Sequence, residues 1–234
     1  MLMQAHSSKR SRLLANLQTT PLLQRLERAS LEQLAHRAVQ QSYAPGTVLF
    51  LEGDPAPALY YIDAGWVKVA KISPDGREQI LSIWGAGELF GGIVSMFGNR
   101  PAPATAVALE ATDAWLFPPE ALHEIVAANP ALMLHIVEFM ADRMSELIEL
   151  VADLSLHTVS ARLARLLLEQ ADDGLIQRHR WATQTEMASR LGTVSDVLNR
   201  ALRSLVEEGL IELTRNHIRI LNYPGLTAKA LPIR

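Results

Sequence analysis

TQTEMASRLGTVSDVLNRALRSLVEEGLI, residues 183–211, decides how this chain folds and what it can touch. Thr183-Gln184-Thr185-Glu186 is a capping box, in which the threonine side chain accepts the amide three residues on and the glutamate reaches back. A short helix follows with Met187, Ala188 and Leu191 on its inner side. Gly192 supplies a sharp turn, and Thr193 is placed to cap a second helix, Val194 to Glu208. On that helix Val197, Leu198, Ala201, Leu202, Leu205 and Val206 form the side expected to be buried. Ser195, Asp196, Asn199, Arg200 and Arg203 fall on the opposite face. Two helices joined through a glycine turn, the second with Arg and Asn on its polar face, have the geometry that enters a DNA major groove.

Downstream, Gly209 ends the helix, and Leu210–Leu213 and Ile218–Leu221 flank Thr214-Arg215-Asn216-His217 as a hairpin with a basic tip. Such a wing suits phosphate contact through Arg215. One amphipathic helix with two arginines is ordinarily a solvated surface helix. The ordered set of capping box, small turn, polar-faced helix and basic wing is what points beyond that, to a winged helix-turn-helix. Thr183, Thr193, Ser195, Asp196, Asn199, Arg200, Arg203 and Arg215 are the candidate DNA contacts.

Upstream, Thr158 is placed to cap a helix over Val159–Gln170, closed by the loop Asp172-Asp173-Gly174, and Asp153–His157 is the expected hinge. Asn129-Pro130 starts a long helix, with proline where its missing N–H costs nothing. Along it Met133, Val137, Met140, Met144, Leu147, Val151 and Leu154 recur at alternating steps of four and three, a heptad seam. A second stripe, Leu132, Ile136, Phe139 and Ile148, lies beside it. An apolar stripe also appears on a helix packed only within its own domain. Two adjacent stripes allow one face to cover the domain while the other meets a second copy, so a homodimer is expected.

From Tyr43 to Phe117 short β-rich runs (Val48–Leu51, Leu59–Ile62, Trp66–Ile72, Gln79–Trp84, Thr105–Leu109, Ala114–Phe117) alternate with turn signals. Their close spacing predicts an antiparallel roll or sandwich, with Asp75-Gly76 supplying the positive-φ residues of a tight hairpin. Residues 21–38 carry helical spacing, with Ser30 as cap for Leu31 onward. The expected division is an N-terminal tail or loose helix over 1–20, a β-roll domain over 21–128, a dimerisation helix and hinge over 129–156, and the winged helix-turn-helix domain over 157–234.

The totals agree with that division. The 234 residues carry a net charge of −3, but unevenly. Residues 1–157 hold 11 Lys/Arg against 17 Asp/Glu, a balance of −6, and residues 158–234 hold 11 against 8, a balance of +3. An acidic front and a basic back fit a protein whose back half alone approaches phosphate. Cysteine is absent, which excludes disulfides, thiolate nucleophiles and iron–sulfur clusters. No apolar run approaches the roughly 20 residues of a membrane helix, and no signal peptide is evident, so a cytoplasmic protein without a membrane partner is expected. No phosphate-cradling glycine loop, acid/base pair or Ser/His/Asp cluster is evident. An enzyme is therefore not expected, and no catalytic or metal-ligating residue is assigned.

The helix-turn-helix segment, together with EGDPAPALYYIDAGWVKV, SPDGRE and GAGELFGG in the front half, resembles the CRP/FNR family of regulators over about residues 20–222. That resemblance implies an α+β protein: a cyclic-nucleotide-binding-like antiparallel β-roll, a long dimerisation helix and a C-terminal winged helix-turn-helix. It also implies homodimers on palindromic double-stranded DNA that contact RNA polymerase. Arg200 matches the family's recognition helix, and Asp196 stands where the family's Glu accepts from cytosine. Ser195 replaces the arginine with which cAMP-responsive members read guanine.

The implied effector pocket departs from the family. Gly87-Glu88 matches the pair that holds the ribose. The phosphate-holding Arg-Ser/Thr pair aligns with Ala104-Thr105, so the hydroxyl remains and the bidentate cation is gone. Arg100 stands four residues upstream of Ala104, and Leu147 and Ile148 occupy the positions that offer hydroxyls to the base in cAMP sensors. Glu88, Arg100, Thr105, Leu147 and Ile148 are thus candidate pocket residues for an effector other than cAMP, or the protein is constitutively active. The cofactor is unassigned: the missing cysteines exclude an iron–sulfur cluster, and the seven histidines include no arrangement that demands haem. A haem-based gas sensor of the same family and a ligand-binding module acting on a protein partner are the alternatives.

Overall fold

The computed structural model describes residues 2–55, 58–92, 100–177, 179, 182–214 and 216–231, with side chains from residue 9 onward. The chain divides into two units, Met1–Lys71 with Ser82–Ser145, and Ile72–Leu81 with Glu146–Arg234.

The first unit opens with α1 (Leu2–Thr19), a helix where a tail or loose helix was expected. Leu13 and Leu17, four residues apart and so on one helix face, are buried beside Leu31, Leu34, Leu59, Phe117 and Ile136. Arg12 pairs with Asp63 at 3.1 Å, and Lys9 Nζ donates to Gln40 Oε1 at 3.1 Å. Next, α2 (Arg28–Arg37) begins earlier than Ser30 suggests. The carbonyl of Glu27 already accepts from Leu31 N at 3.1 Å, and the Ser30 hydroxyl donates instead to Asn129 Oδ1 at 3.2 Å.

Among the described residues eight strands follow: β1 (Val39–Tyr43), β2 (Val48–Phe50), β3 (Leu59–Ala64), β4 (Trp66–Ile72), β5 (Glu78–Gly85), β6 (Leu89–Gly91), β7 (Thr105–Ala108) and β8 (Thr112–Phe117). They form two four-stranded sheets, β1-β8-β3-β6 and β2-β7-β4-β5. Period-two alternation sorts the side chains of β3. Tyr60 and Ile62 meet Phe50, Val67, Ala106 and Ala108 between the sheets, while Leu59 and Tyr61 face the helices. The β4–β5 turn corrects one expectation. Only Gly76 has a positive φ, +82°, and Asp75 does not. Ser73 N donates to Arg77 O and Gly76 N to Ser73 O, each at 2.8 Å, so the turn is longer than a two-residue hairpin and needs a single left-handed residue.

After the strands come α3 (Pro119–Ala128) and α4 (Pro130–Leu156), which meet at an angle of 118°. Ala121, Leu122 and Ile125 on α3, with Leu132 and Ile136 on α4, close the helical side of the core. Among the described residues no single helix is long and apolar enough to cross a membrane.

The second unit is built on α5 (Val159–Gln170), β9 (Leu175–Gln177), α6 (Gln184–Arg190), α7 (Ser195–Glu207), β10 (Ile211–Leu213), β11 (His217–Ile220) and α8 (Tyr223–Ala230). The strands make an antiparallel sheet in the order β10-β11-β9. Leu163, Leu167, Leu198, Leu205 and Leu226 lie at the centre of its core, none of them exposed. Thr158 caps α5, its side chain accepting from Ala161 N at 3.2 Å.

Candidate nucleic-acid interface

The helix-turn-helix assembles from α6 and α7. Thr183 caps α6 and accepts from Glu186 N at 3.2 Å, satisfying one of the amides that a helix start leaves open. Gly192 makes the turn with φ +62°, and the approach is close: a Cβ there would stand 2.4 Å from Leu154 Cδ2 and 2.6 Å from Gln79 Oε1. Gln79 Nε2 also donates to the Arg190 carbonyl at 3.4 Å.

Thr193 does not cap α7. Its amide donates back to Ala188 O at 2.9 Å, and the first helical carbonyl is that of Val194, which accepts from Val197 N and Leu198 N at 3.1 Å. The helix starts at Ser195 with Val194 as the cap residue, and no side chain fills the cap. An unfilled cap leaves amides at this end available to an anionic partner such as a phosphate.

On α7, Leu198, Ala201, Leu202 and Leu205 are buried against the core. Val197 is half-buried, and Val206 is exposed, which corrects its placement on the inner side. Asp196, Arg200 and Arg203 are exposed and Ser195 and Asn199 half-buried, so the polar face expected from the sequence lies on the open side. In the wing, β10 and β11 pair Glu212 with Arg219 and Leu213 with Ile218. Thr214 closes the loop: its amide donates to His217 O at 3.0 Å and its hydroxyl accepts from His217 N at 3.1 Å. Arg215, the expected tip contact, lies outside the described residues. Arg219, exposed on the same hairpin, went unassigned because its position in a strand gave no tip signal.

The long helix α4 separates its two stripes. Leu132 and Ile136 are buried and Phe139 partly so, while Val137, Met140, Met144, Leu147 and Val151 stay exposed, Met144 at 60%. Met133 and Leu154 are half-buried. Ile148 departs from the expected inner stripe and is 61% exposed.

Sequence reasoning missed the residues that hold the end of this helix. Arg162 is buried on α5 and its Nη1 donates to the carbonyls of His157 at 2.8 Å, Asp153 at 3.3 Å and Leu154 at 3.4 Å. These carbonyls lie at the end of the helix, and that of Asp153 also accepts from His157 N at 3.2 Å. Burial lowers the Arg162 pKa, and the nearby Asp153 charge opposes that shift. Arg165, one turn on, pairs with Asp153 and donates from Nη2 to Ala230 O at 3.0 Å, at the end of α8. Lys229 in turn contacts Glu208 at 2.7 Å and, through that hydrogen bond, holds its carboxyl below the usual range. The available signal was two arginines interrupting the apolar run of α5, Ala161-Arg162-Leu163-Ala164-Arg165-Leu166.

The candidate effector contacts are engaged elsewhere or open. Glu88 is exposed and turns back on its own loop, its Oε2 accepting from Gly85 N at 2.5 Å. Thr105 is buried and its hydroxyl accepts from Glu52 N at 3.0 Å, bridging β7 to the residues after β2. Arg100, Leu147 and Ile148 are exposed. Among the described residues no group of three or more His, Asp or Glu side chains gathers as metal ligands, and His135 Nδ1 lies 3.0 Å from Glu138 Oε2.

Comparison with known proteins places both units. Residues 40–129 match the family model of the cyclic nucleotide-binding domain, and residues 161–229 match that of the Crp-like helix-turn-helix domain. The cyclic AMP receptor protein of Thermus thermophilus is 30% identical over 181 residues, which span 73% of this chain and 78% of that protein. A CRP-like cAMP-activated global transcriptional regulator of Mycobacterium tuberculosis is 27% identical over 215 residues, 89% of this chain and 96% of its own length. In fold, the chain is similar to FixK2 from Bradyrhizobium japonicum, with a TM-score of 0.72 at 22% identity over 84% of this chain and 99% of that one.

Proposed function

The chain belongs to the CRP/FNR family of DNA-binding transcription regulators, and from that membership we propose that it works as a homodimer on a palindromic operator. Two copies pair along the exposed seam of α4, which in an isolated chain leaves Val137, Met140, Met144, Leu147 and Val151 in water. Each copy then presents α7 to a major groove. Arg200 is the residue to read a guanine edge, Asp196 to accept from cytosine, and Ser195, Asn199 and Arg203 to complete the face. Thr183, Thr193 and the wing with Arg215 hold the backbone. The working division is a roll over 21–128, the dimerisation helix and hinge over 129–156, and the DNA-binding domain over 157–234. RNA polymerase is the protein partner and the cytoplasm the site of action.

The observation that carries this reading is α7 itself, with leucines sealed beneath it and Asp196, Arg200 and Arg203 open to solvent beside a glycine turn at φ +62°. Two relatives bear names that tie them to cAMP. In this chain the loss of the phosphate-holding arginine and the engagement of Glu88 and Thr105 in backbone hydrogen bonds support control without cAMP. A mobility shift with duplexes selected from a randomised pool, combined with mass measurement of the complex, tests the proposal. Two chains per selected duplex, with affinity falling steeply in salt, are expected. One chain per duplex, or equal affinity for any sequence, would remove it.

A further inference from the structure

Trp84 and Arg143 meet inside the first unit. The Arg143 guanidinium carbon lies 4.6 Å from the centre of the Trp84 ring, within cation–π range. Trp84 is itself fixed, since its Nε1 donates to Ser82 Oγ at 2.9 Å and its ring stacks on Phe90 at 6.1 Å. Phe90 stacks on Tyr60 at 5.1 Å and on Phe50 at 6.3 Å. The four rings come from β5, β6, β3 and β2, so they run through both sheets of the roll. Arg143 sits beside Met144 of the exposed seam, at a point on α4 beyond buried Leu132 and Ile136 and partly buried Phe139.

We propose that the Trp84–Arg143 contact takes the place of a bound effector, fixing α4 to the aromatic column of the roll so that the protein is competent for DNA without a small molecule. Three observations converge. The carboxylate and hydroxyl that would serve a cyclic nucleotide each already accept from a backbone amide, Gly85 N and Glu52 N. Position 104, where the cation for a phosphate belongs, is an alanine. Arg143 reaches the roll from α4 and is taken up by an indole face that stacking and a hydrogen bond hold in place. A helix so tied keeps one orientation of its seam, which is what a ligand accomplishes when it binds one state of a two-state protein better than the other. The inference rests on the homodimeric, DNA-binding reading above.

Full-length wild type, Arg143→Ala, Arg143→Lys, Trp84→Leu and Trp84→Phe, all free of nucleotide, are to be compared by two readouts. One is hydrogen exchange of peptides covering 80–91 and 136–148 without DNA. The other is affinity for a duplex that the wild type selects from a randomised pool. The wild type is expected to bind without nucleotide and to be unmoved by cAMP or cGMP. Arg143→Ala and Trp84→Leu are expected to speed exchange in both peptides and to weaken DNA binding about five- to a hundred-and-fifty-fold, the range of ordinary coupling between sites. The Lys and Phe variants, which keep a cation and a ring, should fall between. Wild-type affinity in all four variants overturns the inference, as does a wild type that binds DNA only after cAMP or cGMP is added; in both cases the DNA-binding reading stands. Absence of selective binding by the wild type under any condition overturns that reading and the inference with it.

Discussion

Arg162 reaches from α5 to the backbone carbonyl of His157, a 2.8 Å hydrogen bond from a buried guanidinium to a residue at the end of the long helix. The same nitrogen serves Asp153 and Leu154, so one side chain terminates α4 where it gives way to the helix-turn-helix core. Removing it takes the guanidinium away from the Leu154 and His157 carbonyls in a poorly solvated place. Arg162→Ala should cost on the order of 1.5–3 kcal/mol by urea denaturation, as for hydrogen bonds from a charged donor. A loss below about 0.5 kcal/mol, the ordinary scatter of surface substitutions, would show that water replaces the guanidinium without penalty.

Leu17→Ala examines the opposite end of the chain. Leu17 is fully buried, in a cluster that also holds Leu34, Phe117 and Ile136. A leucine-to-alanine change in such a core destabilises by about 2–5 kcal/mol. If α1 were a dispensable tail, the variant would melt with the wild type.

What the sequence made legible follows from which physical signals are local. The Gly192 turn, the polar face of α7 and the exposed seam of α4 are all periodicities within one helix or chemistry at one turn. The strand β1 was missed because Val39-Gln40-Gln41-Ser42-Tyr43 has no apolar alternation. It is held as an edge strand by pairing with β8, seventy-odd residues away, where register joins Val39 to Leu116. The burial of α1 went unseen for the same reason: Leu13 and Leu17 are apolar positions whose partners come from distant segments. Thr193 and Ser30 are good cap residues in the wrong places, since the first helical carbonyl is that of the following Val194 in one case and of the earlier Glu27 in the other. The engagement of Glu88 and Thr105 with the backbone could be learned only from coordinates, because a motif names the residue and not its partner.

Tyr60 gives a pH-dependent prediction. Burial, with the nearby Tyr43 adding to it, raises the pKa of its phenol well above the usual tyrosine value of 10.0. The unfolded chain therefore ionises first as pH rises, and stability that is complete below pH 10 is lost progressively above it. Tyr60→Phe removes the titration, so its stability measured between pH 9 and 12 should fall less steeply than that of the wild type. Parallel curves would mean that Tyr60 ionises equally in both states.

Met144→Glu places a charge at the middle of the exposed α4 seam, at a position 60% exposed in the single chain. Paired with its counterpart in a dimer it would bring two carboxylates into an apolar seam, and sedimentation should show monomers at concentrations where the wild type is dimeric. Far-ultraviolet circular dichroism should be unchanged, since the side chain has no intrachain core to disturb. Wild-type sedimentation would show that the chain does not pair through this face.

The central claim is that α7 reads sequence through Arg200. It is tested most directly by competing a selected duplex against a scrambled one of equal length and composition, with wild type and Arg200→Ala at one salt concentration. Loss of a guanine contact should narrow the preference for the selected duplex by about 1–3 kcal/mol per contact, roughly five- to a hundred-and-fifty-fold, while the dimer persists and affinity for the scrambled duplex changes little. An Arg200→Ala protein that keeps the full preference of the wild type would contradict the account.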